Sequence, residues 1–188
     1  MSFYMVDVEH RGACPRTGVM TCFGAVKVTE AMDRSFYGVL VPRTPSENWK
    51  EGDIVGAVGP VELVVDGVCE LPEGNRDLAL YHVMRSFDEW ITETNVGPRA
   101  IFWSDNPAND WQWINDAFFR TLNRNPFGHS GRRVGDFYSG LMQNLRAATE
   151  WKSMRVTPHT HHPVDDARGN VEALLKMCKA FNLHTDFK

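Results

Sequence analysis

The last stretch of the chain does most to limit its fold. Between Pro163 and Phe181, Val164, Ala167, Val171, Leu174, Leu175, Cys178 and Phe181 recur at three- and four-residue spacing. That periodicity predicts an amphipathic helix, and a stripe of that length needs a surface to cover it. The opening of the chain offers one. Residues 3–9 are a short apolar run, residues 18–29 are rich in Val, Phe, Thr and Met, and Ser35–Val41 reads SFYGVLV. Three β segments on short connections predict an antiparallel meander at the start of a mixed sheet.

The middle of the chain alternates between the two element types. Asp77–Thr94 carries Leu80, Tyr81, Met84, Phe87, Trp90 and Ile91 at helical spacing, and Arg99–Ser104 reads as a short central strand. Asn106 is a candidate N-cap with Pro107 at the first helical position, predicting a helix to Leu122. A further helix is expected over Gly135–Thr149. Trp103, Trp111 and Trp113 fall on the central strand or a buried helix face and are expected in the core. From Pro42 to Gly74 the chain is Gly- and Pro-rich, with valine-rich pieces at 53–58 and 61–68 that pair as a hairpin or pack as loops. The expectation is a single α/β domain over residues 1–188, with a mixed five-stranded sheet flanked by helices.

Hydrophobic residues at 43% and charged residues at 23% fit a packed domain and argue against disorder or a coiled coil. No stretch approaches eighteen consecutive apolar residues, and the first residues lack a basic segment, so neither a membrane span nor a signal peptide is expected. Cys14, Cys22, Cys69 and Cys178 are scattered without a CxxC pair, which suits reduced thiols in a cytoplasm. The net charge of −4 alone says little for nucleic acid. Its distribution says more, because Arg120, Arg124, Arg132, Arg133, Arg146, Lys152 and Arg155 face only Asp136 and Glu150 in that stretch. Such polarity suits a chain that holds a polyanion with one region and metal ions with another, or else a solvated basic face.

The acids carry the chemistry. Asp7-Val8-Glu9 ends the apolar strand, and residues two apart on a strand share a face, so two carboxylates converge where a buried strand would place valine. A divalent cation between them would relieve the repulsion; the alternative is that the strand has ended and both acids are solvated. Asp110 lies in the first turn of its helix with Trp113, Ile114 and Ala117 three, four and seven residues on, so it faces inward or along the edge of that stripe, or else is a helix N-terminal acid set against the macrodipole. Asp105 is expected to cap or face solvent, and Asp116 to lie off that face. In His159-Thr160-His161-His162-Pro163-Val164-Asp165-Asp166-Ala167, Asp166 adjoins the buried stripe while Asp165 faces out. A zinc site of His159, His161 and His162 is a competing reading, although that spacing matches no usual zinc pattern.

Together, Asp7-x-Glu9, Asn106-x-x-x-Asp110 and His161-x-x-x-x-Asp166 resemble the DEDDh group of 3′–5′ exonucleases in the ribonuclease-H-like superfamily. His161-His162-Pro163-Val164-Asp165-Asp166-Ala167 is similar to the family's His-x-x-Leu-Asp-Asp-Ala signature. Small phage and bacterial exonuclease and exoribonuclease domains look closest, which would mean a host cytoplasm if the chain is phage-encoded.

The resemblance implies that Asp7, Glu9, Asp110 and Asp166 bind two divalent ions, Mg²⁺ or Mn²⁺, with His161 as general base. Hard oxygen ligands and a near-neutral imidazole agree with that assignment. It implies hydrolysis of phosphodiester bonds at single-stranded 3′ ends, RNA ahead of DNA, with nucleoside monophosphates released. Alternatives are a 3′–5′ DNA exonuclease on the same site and a catalytically silent nucleic-acid-binding protein. Relatives include dimers, so a homodimer is compatible. Where the family has Thr-Gly or Met-Gly after its first motif, this chain has His10-Arg11-Gly12, and an aromatic often found before the second-motif aspartate is Asn109 here. His10 and Arg11 are therefore candidates to stack on a base or hold a phosphate, and Arg132 and Arg133, expected in a loop, to contact the nucleic-acid backbone.

Overall fold

The computed structural model describes residues 1–40, 68–69, 76–184 and 187. The strands are β1 (Ser2–Arg11), β2 (Val19–Lys27), β3 (Ser35–Val39), β4 (Val68–Cys69), β5 (Ala100–Ser104) and β6 (Gly131–Arg133). The helices are α1 (Arg76–Thr94), α2 (Pro107–Leu122), α3 (Val134–Leu141) and α4 (Pro163–Ala180), with 3₁₀ turns at Leu145–Ala147 and Glu150–Met154. The sheet order is β4-β3-β2-β1-β5-β6. β1, β2 and β3 run antiparallel in succession, while β5 and β6 add parallel on the other side of β1. Five strands of three residues or more make the expected mixed sheet, and β4 adds a two-residue strand parallel to β3 at its edge.

Strand alternation divides the core into two layers. Tyr4, Val6 and Val8 point to one face, where Phe23, Phe36, Phe102 and Phe127 join Phe87 of α1 and Ile114 and Phe118 of α2. Met5, Val26, Ile101 and Trp103 point to the other, where α4 lays down Val164, Ala167, Val171, Leu174 and Cys178 beside Val134 and Trp151. Each fully buried large apolar side chain contributes about 1.5–3 kcal/mol, so the stripe of α4 holds that helix to the sheet. Leu175 is only partly buried, and Phe181, expected to close the stripe, falls just past the helix end and is exposed.

Several expectations need correcting. The helix predicted over Gly135–Thr149 stops at Leu141. Gln143 adopts a left-handed backbone (φ 52°), and the Asn144 side chain accepts from the Arg146 N–H to open a separate 3₁₀ turn. Gly131–Arg133 is not a loop but the edge strand β6, because its backbone pairs with Phe102–Ser104. Tyr81, placed on the buried face of α1, is exposed. Asn106 occupies the N-cap position of α2 without a side-chain capping bond; its carbonyl instead accepts from the Asn109 and Asp110 amides. Trp103 and Trp113 are buried and Trp111 partly so, as expected. Cys14, Cys22 and Cys178 are free thiols. No helix among the described residues is long and apolar enough to cross a membrane. The valine-rich pieces at 53–58 and 61–68 lie outside the described residues, apart from Val68.

Candidate metal centre

On β1 the α4-facing residues are Phe3, Met5, Asp7 and Glu9 in turn, so one stripe passes from packing to charge. Directly across the ladder Asp7 faces Gly24 of β2. A Cβ on Gly24 would lie 2.4 Å from Pro163 C and Val164 N. The bare glycine lets the first turn of α4 rest on the sheet backbone, and this close approach brings Asp166 beside the strand carboxylates. Carboxylate oxygens of Asp7, Glu9 and Asp166 all lie within 4.8 Å of one another. The antiparallel register slips just after Glu9, where the Thr21 hydroxyl donates to the Glu9 carbonyl at 2.9 Å.

Asp110 arrives from the other side of the sheet. Pro107 fixes the first turn of α2 at the end of β5, and Asp110 is 4% exposed. The Ser104 hydroxyl and the backbone amides of Asn106 and Val8 lie near enough to favour its charged form, although the buried Ser104 Oγ closes no hydrogen bond. The influence of the Val8 amide sets it beside the strand residue between Asp7 and Glu9. Asp7, Glu9, Asp110 and Asp166 therefore meet where β1 reaches the starts of two helices.

Asp166 is 1% exposed and its oxygens organise the preceding loop, accepting from the Thr160 amide at 3.0 Å and the His161 amide at 3.1 Å. Further back, Glu172 of α4 clamps the loop base: Oε2 accepts from the Val156 and Thr157 amides and Oε1 from the Thr157 hydroxyl, each at 2.7 Å. These bonds present the histidines. His161 has a left-handed backbone (φ 59°), is 53% exposed and places Nδ1 3.8 Å from Glu9 Oε1. His159 Nδ1 lies 2.6 Å from Asp166 Oδ2, and the His159 and His161 ring centroids are 4.3 Å apart. His162 turns away, buried with its ring 4.8 Å from that of Tyr37. The three consecutive-loop histidines therefore do not converge on one zinc.

Crowding sets the electrostatics. Burial, with the charges of Asp110, Asp166 and Glu9 behind it, pushes the Asp7 carboxyl well above the usual range, while Arg155 pulls the other way. Burial, then Asp166 and Asp110, pushes Glu9 up to about 7. Burial likewise pushes Asp110 up to about 7, against the opposing influence of the Ser104 hydroxyl and the Asn106 and Val8 amides. Carboxyl groups of this kind bind protons near neutrality unless a cation takes their place.

The remaining candidates are scattered. The His10 ring stacks on Trp113 at 4.7 Å and its Nδ1 lies 3.0 Å from the Gly12 carbonyl; Arg11 is exposed at the end of β1. Arg132 lies over the Phe3 and Trp103 rings, each 5.7 Å away. Arg133 donates to the Asp105 carbonyl and to Asp136. Asp105 neither caps nor faces solvent freely, since Lys152 reaches its carboxylate at 2.6 Å. Asp116 pairs with Arg120 off the Asp110 face, and Arg124 pairs with Asp88. Much of the basic run is thus neutralised locally.

Sequence reasoning missed Ser104, Glu172 and Arg155. Arg155 donates to Asn170, lies 3.9 Å from Asp105 and covers the Trp151 ring. Glu172 and Arg155 act on partners 15 or 16 residues away, whereas Ser104, close to Asp110 in sequence, was signalled only by its position at the end of the central strand. Neither a protein-family model nor a curated protein matches the chain, so the chemistry has to be argued from this geometry.

Proposed function

We propose that the protein is a divalent-metal-dependent 3′–5′ exonuclease of the DEDDh type, hydrolysing phosphodiester bonds at single-stranded 3′ ends, RNA ahead of DNA. The observation that carries this reading is the convergence of Asp7, Glu9 and Asp166 within 4.8 Å, beside buried Asp110 and under the exposed imidazole of His161. The sheet supports a ribonuclease-H-like fold, with three successive antiparallel strands and parallel strands added beyond β1.

The donor set fits a pair of hard cations such as Mg²⁺ or Mn²⁺: every acid is an oxygen ligand, and the raised carboxyl groups mark a charge cluster short of positive charge. When bound, such ions stabilise the attacking and leaving oxygens of an in-line displacement. Asp7 and Glu9 hold the strand side of the site, Asp166 the α4 side, and Asp110 the α2 side. His161, exposed and beside Glu9, takes the proton from the attacking water. His10 and Arg11 follow Glu9 in the chain and are proposed to meet the terminal nucleotide although the His10 ring stacks on Trp113, whereas Arg132 and Arg133 are engaged elsewhere.

A denaturing-gel time course on 5′-labelled single-stranded RNA and DNA tests the reading, with Mg²⁺, Mn²⁺ or EDTA and with Asp166→Ala. A metal-dependent ladder shortening from the 3′ end, absent in the variant, is expected, faster on RNA. Faster shortening of DNA would reverse the sugar preference. Intact substrate under every condition, with measurable oligonucleotide binding, would replace the enzyme with a silent binding protein.

A further inference from the structure

The histidines above the carboxylates form a second donor set of different chemistry. A nitrogen of His159, a nitrogen of His161 and an oxygen of Asp166 all lie within 4.8 Å of one another. The imidazoles are 51% and 53% exposed, so their rings can turn, while Asp166 is buried and pinned by the Thr160 and His161 amides. The left-handed backbone of His161 costs energy in a non-glycine residue, and it turns that ring toward His159 and the acids instead of along the loop.

Two imidazoles and one carboxylate make a borderline nitrogen–oxygen site, which favours Zn²⁺ over Mg²⁺. Three protein ligands leave a fourth tetrahedral position for water. Ligand atoms around tetrahedral zinc sit about 3.4 Å apart given Zn–ligand distances of roughly 2.0–2.2 Å, so modest turns of two exposed rings close the set. His162 is excluded because its ring is buried against Tyr37. We propose that His159, His161 and Asp166 form a Zn²⁺ site that shares only Asp166 with the carboxylate cluster, and that zinc there inhibits the protein. It would withdraw Asp166 from the catalytic cations and occupy the lone pair with which His161 accepts a proton. The inhibition rests on the exonuclease reading; the binding does not.

Co²⁺ serves as the spectroscopic probe on the full chain, followed by displacement with Zn²⁺, for wild type, His159→Ala and the distant His82→Ala. Saturable, intense visible bands of a four-coordinate ion are expected for wild type and His82→Ala, with affinity at least roughly tenfold weaker in His159→Ala. Weak six-coordinate bands alone, or equal affinity in His159→Ala, would overturn the site. The second readout is the Zn²⁺ concentration that halves Mg²⁺-dependent hydrolysis, taken relative to each protein's own uninhibited rate. It should rise at least roughly tenfold in His159→Ala. Histidine-dependent Co²⁺ bands in a protein without nuclease activity would keep the zinc site and remove the exonuclease. A working nuclease whose Co²⁺ spectrum ignores His159 would do the reverse.

Discussion

Gly24 stands opposite Asp7 across the β1–β2 ladder, and the space its missing side chain leaves is filled by the Pro163 and Val164 backbone. The residue that admits α4 is therefore the cross-strand partner of the first acid of the proposed metal site. Gly24→Ala should lose about 1–3 kcal/mol to overpacking and weaken Mn²⁺ binding by lifting Asp166 away. Gly140→Ala is the control: nothing lies within 4 Å of its added Cβ, and it sits in a helix, so a small gain is expected. Thermal melts and Mn²⁺ titrations of both check this, and equal behaviour of the two variants would contradict it.

The raised carboxyl groups make stability depend on pH in a definite direction. Asp7, Glu9 and Asp110 bind protons more tightly folded than unfolded, so without metal the folded state carries the excess between their ordinary values near 4 and the folded values of about 7 for Glu9 and Asp110. Stability should accordingly fall as pH rises through that window. Added Mn²⁺ should raise the melting temperature by about 3 °C or more at pH 8 and by clearly less at pH 5.5. Calorimetry in EDTA and in Mn²⁺ across that range decides the point, and a metal effect greater at pH 5.5 would count against the cluster.

Asp7→Asn separates stability from turnover. Removing one of several crowded like charges should raise the metal-free melting temperature at pH 8 by about 2 °C or more. The same change should lower hydrolysis at least roughly a hundredfold, because a first ligand is lost. A variant that melts lower without metal and retains activity would show that Asp7 is a structural acid.

Glu172 is expected to matter without touching substrate. Its carboxylate accepts three hydrogen bonds at the loop base; burial pushes the group up, but the donors of Thr157 and Val156 outweigh this and hold it below the usual glutamate range. Glu172→Gln keeps the shape and loses acceptor capacity, at a cost of about 1–2 kcal/mol. Faster amide exchange in residues 155–161, with kcat falling more than KM rises, is the expected pattern in exchange mass spectrometry and steady-state kinetics.

Alternation and spacing made much of this legible in advance. Asp7 and Glu9 follow from strand parity, Asp110 from the helix that Pro107 opens, and Asp166 from its place beside the stripe of α4; the structure buries Asp110 and Asp166 as that logic required. β6 was hidden because Gly131-Arg132-Arg133 has no apolar period, and its strand character comes from pairing with β5. The long third helix failed because propensity alone does not register a left-handed Gln143 or the Asn144 cap. Arg155 and Glu172 were invisible for a different reason: each acts on a partner 15 or 16 residues away, which local pattern does not encode. Adjacent histidines also look equivalent in a string of letters, yet a φ of 59° at His161 sends His162 into the core and leaves its neighbours above the acids.

Because β1 uses one alternation for packing and for chemistry, its content is frame-locked. Phe3 and Met5 on the α4-facing side continue directly into Asp7 and Glu9, while Tyr4, Val6 and Val8 fill the opposite layer. Deleting or inserting a single residue between Phe3 and Met5 would exchange the two sets, presenting valines to the helix starts and driving two carboxylates in among aromatic rings. Substitutions along this strand can be graded in their effects, but an insertion or deletion inverts core and site together.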